Sequence, residues 1–358
     1  MSPLERRYDI DWLRVIAIGL LLIYHVAIGF QPWGVMIAFI ANPKSWPALW
    51  VPMSMLNIWR IPLLFFVSGM GLYFAMGQRG LVQLLVERSR RILLPFVFGM
   101  FAIVPIHLLL WRSYYKMNLV YTWDPGHLWF LANIFAYVVI LAPLFYLLRK
   151  LDSGSVAAGI ANVLSHPLGL LLVAGALVAE ALIIKPTPYE LYARTWHGFA
   201  LGFLAFLFGY CFILAGGGFW RMLQKHRFVF LVLALAMFWS RTYYLGTSTQ
   251  LYLIPIESLA WILSVLAFGS KYLNKPSKAL AYLSEAAYPV YIVHMIFLYL
   301  GSYLVFALDI AVELQFVLVF LFTVVGCFAA FEGIRRVQVL RLLFGLKVKK
   351  ERSISIPA

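Results

Sequence analysis

Two ionisable side chains, Arg14 and His25, bracket the first apolar stretch, Leu13 to Phe30. The eleven-residue spacing returns to nearly the same face of an α-helix, about 16 Å further along its axis. An ionisable group inside an apolar span is costly, and by default it marks a ligand path or a proton-transfer site. Arg14 stands at the mouth of the span. His25 lies about 18 Å along it, just past the midplane of a roughly 30 Å hydrocarbon core. A neutral imidazole at that depth is the form that takes a proton from a hydroxyl nucleophile. The bland alternative is a histidine hydrogen-bonded within a bundle for packing alone.

A second set of cations, Arg88, Arg90 and Arg91, precedes an apolar run that begins at Ile92 with Pro95 in its first turn. Helix N-termini carry partial positive charge and guanidinium forks match phosphate oxygens. With Arg14 they predict a site for a phosphorylated ligand, although each one singly is also a topology signal. Arg60, in Trp59-Arg60-Ile61-Pro62, either snorkels to the surface or faces a cavity at the depth of His25 and steadies an oxyanion or an acceptor. We read it as facing the cavity.

His127 and Trp129 open the fourth apolar run. A Trp there anchors the interface, and beside a His it also stacks on a sugar ring. Glu257 is an acid in the eighth run; it either pairs with an arginine for structure or binds an acceptor hydroxyl. Tyr291 and His294 share the ninth run with Tyr288, His294 about 12 Å in from its start, and helix–helix hydrogen bonds are their alternative role. Phosphate-cradling glycine loops, Cys/His metal sets and Gly-x-Ser-x-Gly elbows are absent from the sequence. Cys211 and Cys327 fall inside apolar runs as packing residues, and Ser68-Gly69 reads as close helix packing.

The elements that must position these groups are membrane helices. Hydrophobic residues make up 63% of the chain and charged residues 12%, against roughly 45–50% and 25% in soluble domains. Ten runs are long enough to cross a bilayer, near 13–31, 51–76, 92–111, 127–148, 167–184, 198–216, 227–243, 251–270, 286–307 and 311–333. The expected fold is therefore an all-α integral membrane protein, a single bundle over 1–358 with a basic tail at 334–358. The arginines ahead of the first run suggest a signal peptide, but bulky Gln31-Pro32-Trp33 follows it with no small-residue cleavage site, so it is expected to stay as an uncut span.

A net charge of +15 raises the question of nucleic acid, but its distribution answers otherwise. With the N-terminus inside, twenty-two Lys and Arg fall in inner segments and six in outer loops, which is the positive-inside pattern with both termini cytoplasmic. The basic charge reports orientation in a lipid bilayer. Pro62, Pro105, Pro143, Pro255 and Pro289 lie within or near span ends, where neighbouring helices are expected to satisfy the freed carbonyls. Asp124-Pro125 is a helix-start signal.

Taken in order, the segments resemble the membrane acyltransferase-3 family: Ile10-Asp11-Trp12-Leu13-Arg14 with ten residues to His25, Arg60-x-Pro-x-x-Phe-Phe-x-Ser-Gly69, Arg88-Ser-Arg-Arg91 before Leu94-Pro95, His127-Leu-Trp-Phe-Leu131, and Tyr288-Pro-Val-Tyr-Ile-Val-His294. Within it, Glu257-Ser258 and the Leu-Leu-Phe344-Gly tail look most like the branch that succinylates periplasmic glucans. The resemblance implies an acyl-CoA donor bound from the cytosol as co-substrate, with no tightly bound cofactor, and an extracytoplasmic carbohydrate acceptor at an inner membrane. It implies donor-side roles for Arg14, Arg88 and Arg91 and a catalytic base at His25, with Asp11 in the same signature. No appended periplasmic domain is expected, so acylation finishes in the bundle or is completed by another envelope glycan-synthesis protein. The alternative class is a secondary transporter or flippase for a carbohydrate or anion, which would show paired repeats that this sequence lacks.

Overall fold

A computed structural model describes residues 6–152, 154–246 and 251–347. Lys349, Lys350 and Arg352 of the basic tail lie outside the described residues. Among the described residues, ten helices are long and apolar enough to cross a membrane: α1 (Tyr8–Ile28), α2 (Pro47–Met76), α3 (Leu81–Tyr114), α4 (Gly126–Leu151), α5 (Pro167–Ile184), α6 (Trp196–Leu214), α7 (Arg227–Leu245), α8 (Leu253–Tyr272), α9 (Lys278–Val305) and α10 (Val312–Ile334). Among the described residues there is no strand. The number of spans is the one expected, but α3 and α9 begin well before their apolar runs. In α3, Leu81, Leu84 and Leu85 keep a helical apolar face against the core through a stretch whose charges mask it. At α9 the Ser277 side chain accepts the Leu280 N–H and caps the helix early.

The bundle is tied together where side chains are smallest. α2 packs closely on α6, with Gly69 against the Phe206 backbone and Gly209 against the Phe66 backbone, positions where a Cβ would collide with the facing carbonyl. α9 packs on α10 and α1, and α7 rests mainly on α8 at the periphery.

Prolines inside spans free carbonyls four residues earlier. Pro62 frees that of Ile58, which accepts from the Ser258 hydroxyl at 2.8 Å and the Tyr192 hydroxyl at 3.2 Å. Burial holds the Tyr192 phenol far above its ordinary pKa, which keeps it a donor to that carbonyl. Pro105 frees Phe101, whose carbonyl accepts from Tyr121 at 2.8 Å. In α3 both Pro95 and Pro105 follow widened π-type turns, Ser89–Leu93 and Gly99–Ile103, that make room for the rings.

Candidate active site

α1, α2, α3, α4 and α9 enclose a cavity of about 990 Å³ that reaches from the basic face of the bundle to the opposite face. At the basic end its wall carries Arg6, Arg14, Arg88, Arg91, Arg341 and Lys347, against the carboxylates of Asp11 and Glu285. Asp11 pairs with Arg6 and Arg14 at 3.3 Å each. Glu87 holds Arg79 at 2.9 Å and Arg91 at 3.1 Å, while Arg88 Nε has no hydrogen-bond partner among the described residues. Cations outnumber acids here, so the mouth suits a polyanion. Arg90, grouped with its neighbours in the sequence reading, is exposed and stands outside this wall. On a helix, successive residues diverge by about 100°, so Arg90 cannot share the face of both Arg88 and Arg91.

Arg341 and Lys347 come from the far end of the chain. A short helix, Gln338–Leu343, follows α10. Arg341 is buried within it and donates to the carbonyls of Lys347 at 2.8 Å and Arg335 at 3.0 Å, while pairing with Glu285 at 3.1 Å. Gly345 then turns the chain with φ +70, and its backbone sits against the Arg91 carbonyl that Pro95 frees.

In the middle of the cavity stand His25, Arg60, His107 and His127. Arg60 is fully buried, and among the described residues none of its three guanidinium nitrogens has a hydrogen-bond partner. Its carbon lies 3.9 Å from the centre of the Tyr24 ring. The side chain therefore faces inward and does not snorkel. His25 Nδ1 lies 2.8 Å from His294 Nε2. His127 Nε2 donates to the Ile292 carbonyl at 3.1 Å, and its Nδ1 has no partner among the described residues. The Tyr291 hydroxyl donates to the His127 carbonyl at 2.5 Å, so α9 fixes both the ring and the backbone of His127.

At the opposite end the wall includes Trp129, Phe130, Asp124, Glu190 and Arg194. Asp124 accepts the Gly126 N–H at 2.7 Å and pairs with Arg194 at 2.9 Å, although the helix begins one residue later than the sequence suggests, with Pro125 at the cap. Aromatic faces beside polar groups suit a carbohydrate.

Two further sequence candidates lie elsewhere. Glu257 is buried in a two-pronged pair with Arg241, at 2.6 and 3.0 Å, and does not line the cavity. The structural alternative is the one its geometry matches. His294 is fully buried behind His25 and is not part of the wall, so it reaches any ligand only through that ring. Sequence reading passed over His107, whose ring packs on His127 and Tyr299; as an ionisable ring in an apolar run it carries the signal that marks His25. It also missed the buried Glu180–His197 pair at 2.8 Å beneath the 185–195 loop, and Arg341, whose place at the mouth no local pattern announces.

The family model described as an acyltransferase domain, Acyl_transf_3, matches residues 7–332. Neither a curated protein nor a solved structure matches the chain.

Proposed function

Because the chain belongs to the acyltransferase-3 family, we propose that it is a membrane O-acyltransferase moving an acetyl or succinyl group from cytosolic acyl-CoA to a hydroxyl of an extracytoplasmic carbohydrate such as a periplasmic glucan. One observation carries this reading. A single cavity has a cationic mouth at one end, an aromatic and polar rim at the other, and His25 with the unpaired Arg60 in its wall between them.

In this reading the basic face is cytoplasmic, with both termini on that side, and the protein sits in the inner membrane. The phosphates of the donor rest on Arg14, Arg88 and Arg91, whose guanidinium forks match phosphate oxygens. The pantetheine arm then extends inward over the ~16 Å that separates Arg14 from His25 along α1. The acceptor sugar enters from the opposite face against Trp129. His25 takes the proton of the attacking hydroxyl, and the Arg60 cation faces the oxyanion that forms on the thioester carbonyl. Holding both reactants in one channel supplies the orientation that a bimolecular transfer lacks.

The test uses purified protein in proteoliposomes with labelled acyl-CoA inside and an oligosaccharide outside. The expected result is an O-acylated sugar and one free thiol per ester, with both lost in His25→Ala while the variant still inserts and folds. Wild-type turnover in His25→Ala removes the base role, and accumulation of unmodified solute without thiol release replaces the enzyme with a transporter.

A further inference from the structure

What each nitrogen of His25 meets decides which one takes a proton. Nδ1 faces Nε2 of His294 at 2.8 Å, with the two rings 11° from parallel. His294 Nδ1 in turn lies 2.6 Å from the Tyr291 carbonyl oxygen, one turn earlier in α9. A carbonyl oxygen only accepts, so His294 carries its hydrogen on Nδ1. Its Nε2 is then a lone pair, and the hydrogen between the two rings belongs to Nδ1 of His25. One proton per ring leaves Nε2 of His25 bare. Among the described residues nothing bonds to that nitrogen, and the ring it belongs to forms part of the cavity wall.

We infer that His294 is a positioning residue that locks His25 as the Nδ1–H tautomer and so presents the Nε2 lone pair to the acceptor hydroxyl. The inference rests on the acyltransferase reading above, in which His25 is the base. The hydroxyl oxygen bonds to the thioester carbonyl carbon as its proton passes to Nε2 of His25, and the C=O pair moves onto oxygen. Collapse of that oxyanion breaks the C–S bond, and the Nε2 proton goes to the departing thiolate. The products are an ester and a free thiol, and His25 returns to its starting tautomer. While His25 is cationic, its Nδ1–H still donates to His294 Nε2, so the charge is met by an acceptor that needs no rearrangement. His127, edge-on to His294 at 4.9 Å between centroids, braces the second ring.

The tautomer is read directly by ¹⁵N NMR of the full-length, histidine-labelled protein in bilayers, with the His25 signals assigned by their loss in His25→Gln. The expected wild-type pattern is a protonated Nδ1 and a bare Nε2. His294→Leu should scramble it and lower kcat on the order of 10²–10⁴-fold, as wrong-tautomer variants of catalytic histidines do, with donor KM unchanged. His294→Gln, which places an amide oxygen near the lost Nε2, should restore the tautomer and part of kcat. A protonated Nε2 on wild-type His25 overturns the inference, as does full kcat in His294→Leu. The two readings fail separately, because full transfer in His25→Ala removes the base itself. A protonated Nε2 in an enzyme still inactivated by His25→Ala removes only the role of His294.

Discussion

The Arg60 guanidinium carbon lies over Tyr24, 3.9 Å from the ring centre, and among the described residues none of its nitrogens has a hydrogen-bond partner. A desolvated cation–π contact contributes about 2 kcal/mol, whereas burying an unpaired ion costs several kcal/mol. Stability therefore does not explain this residue, whereas the oxyanion of the proposed reaction would.

Arg60→Met should accordingly lower kcat by about 10²–10³-fold, the usual cost of losing an oxyanion donor, while its melting temperature stays level or rises. Kinetics paired with a thermal-shift assay checks both. A variant that melts lower and keeps its kcat would make Arg60 a structural residue.

Arg88 and Arg91 should separate from Arg90. Hydrogen bonds to charged groups contribute about 1.5–3 kcal/mol, so Arg88→Gln and Arg91→Gln should each raise donor KM roughly 10–100-fold. Arg90→Gln, outside the cavity wall, should leave it unchanged. Equal effects from all three substitutions would indicate a diffuse field with no defined phosphate site.

That contrast also marks what the sequence discloses. Hydropathy alone yields the ten spans, because a bilayer imposes length and composition on every crossing. The spacing of Arg14 and His25 places them on one stripe, since both belong to one helix. Relations between helices are different in kind. That His294 meets His25 and that Glu257 meets Arg241 depend on how α9 crosses α1 and α8 crosses α7, which no single-helix periodicity records. Arg341 is the extreme case, since its partners Glu285 and Lys347 are brought together only when the chain end docks.

The Arg241–Glu257 pair is predicted to be structural. The Glu257 side chain is buried at 2% exposure and that of Arg241 largely covered at 12%, and removing one partner of a buried pair costs about 3–5 kcal/mol. Glu257→Gln should therefore lower the melting temperature while leaving acceptor KM unchanged in the folded fraction. Arg241→Met combined with Glu257→Leu should recover most of the loss. A raised acceptor KM at wild-type stability would return Glu257 to the acceptor site.

Gly345 offers a way to open the basic mouth without touching a charge. Its φ of +70 is strained for any residue with a Cβ, and that atom would stand 2.7 Å from the Arg91 carbonyl and 2.9 Å from the Tyr288 ring. The left-handed conformation alone costs an alanine about 1–2 kcal/mol, and the collision adds to it. Because the segment follows the last span, Gly345→Ala should loosen it without melting the spans. Arg341 and Lys347 would then leave the cavity wall. Hydrogen exchange should rise across 335–347, and donor KM should rise with it. Combining Gly345→Ala with Arg341→Gln should add little to either single variant, because both remove the same cation from the mouth. Additive losses would mean that Arg341 acts independently of the turn, and unchanged donor KM in Gly345→Ala would place the chain end outside the donor site.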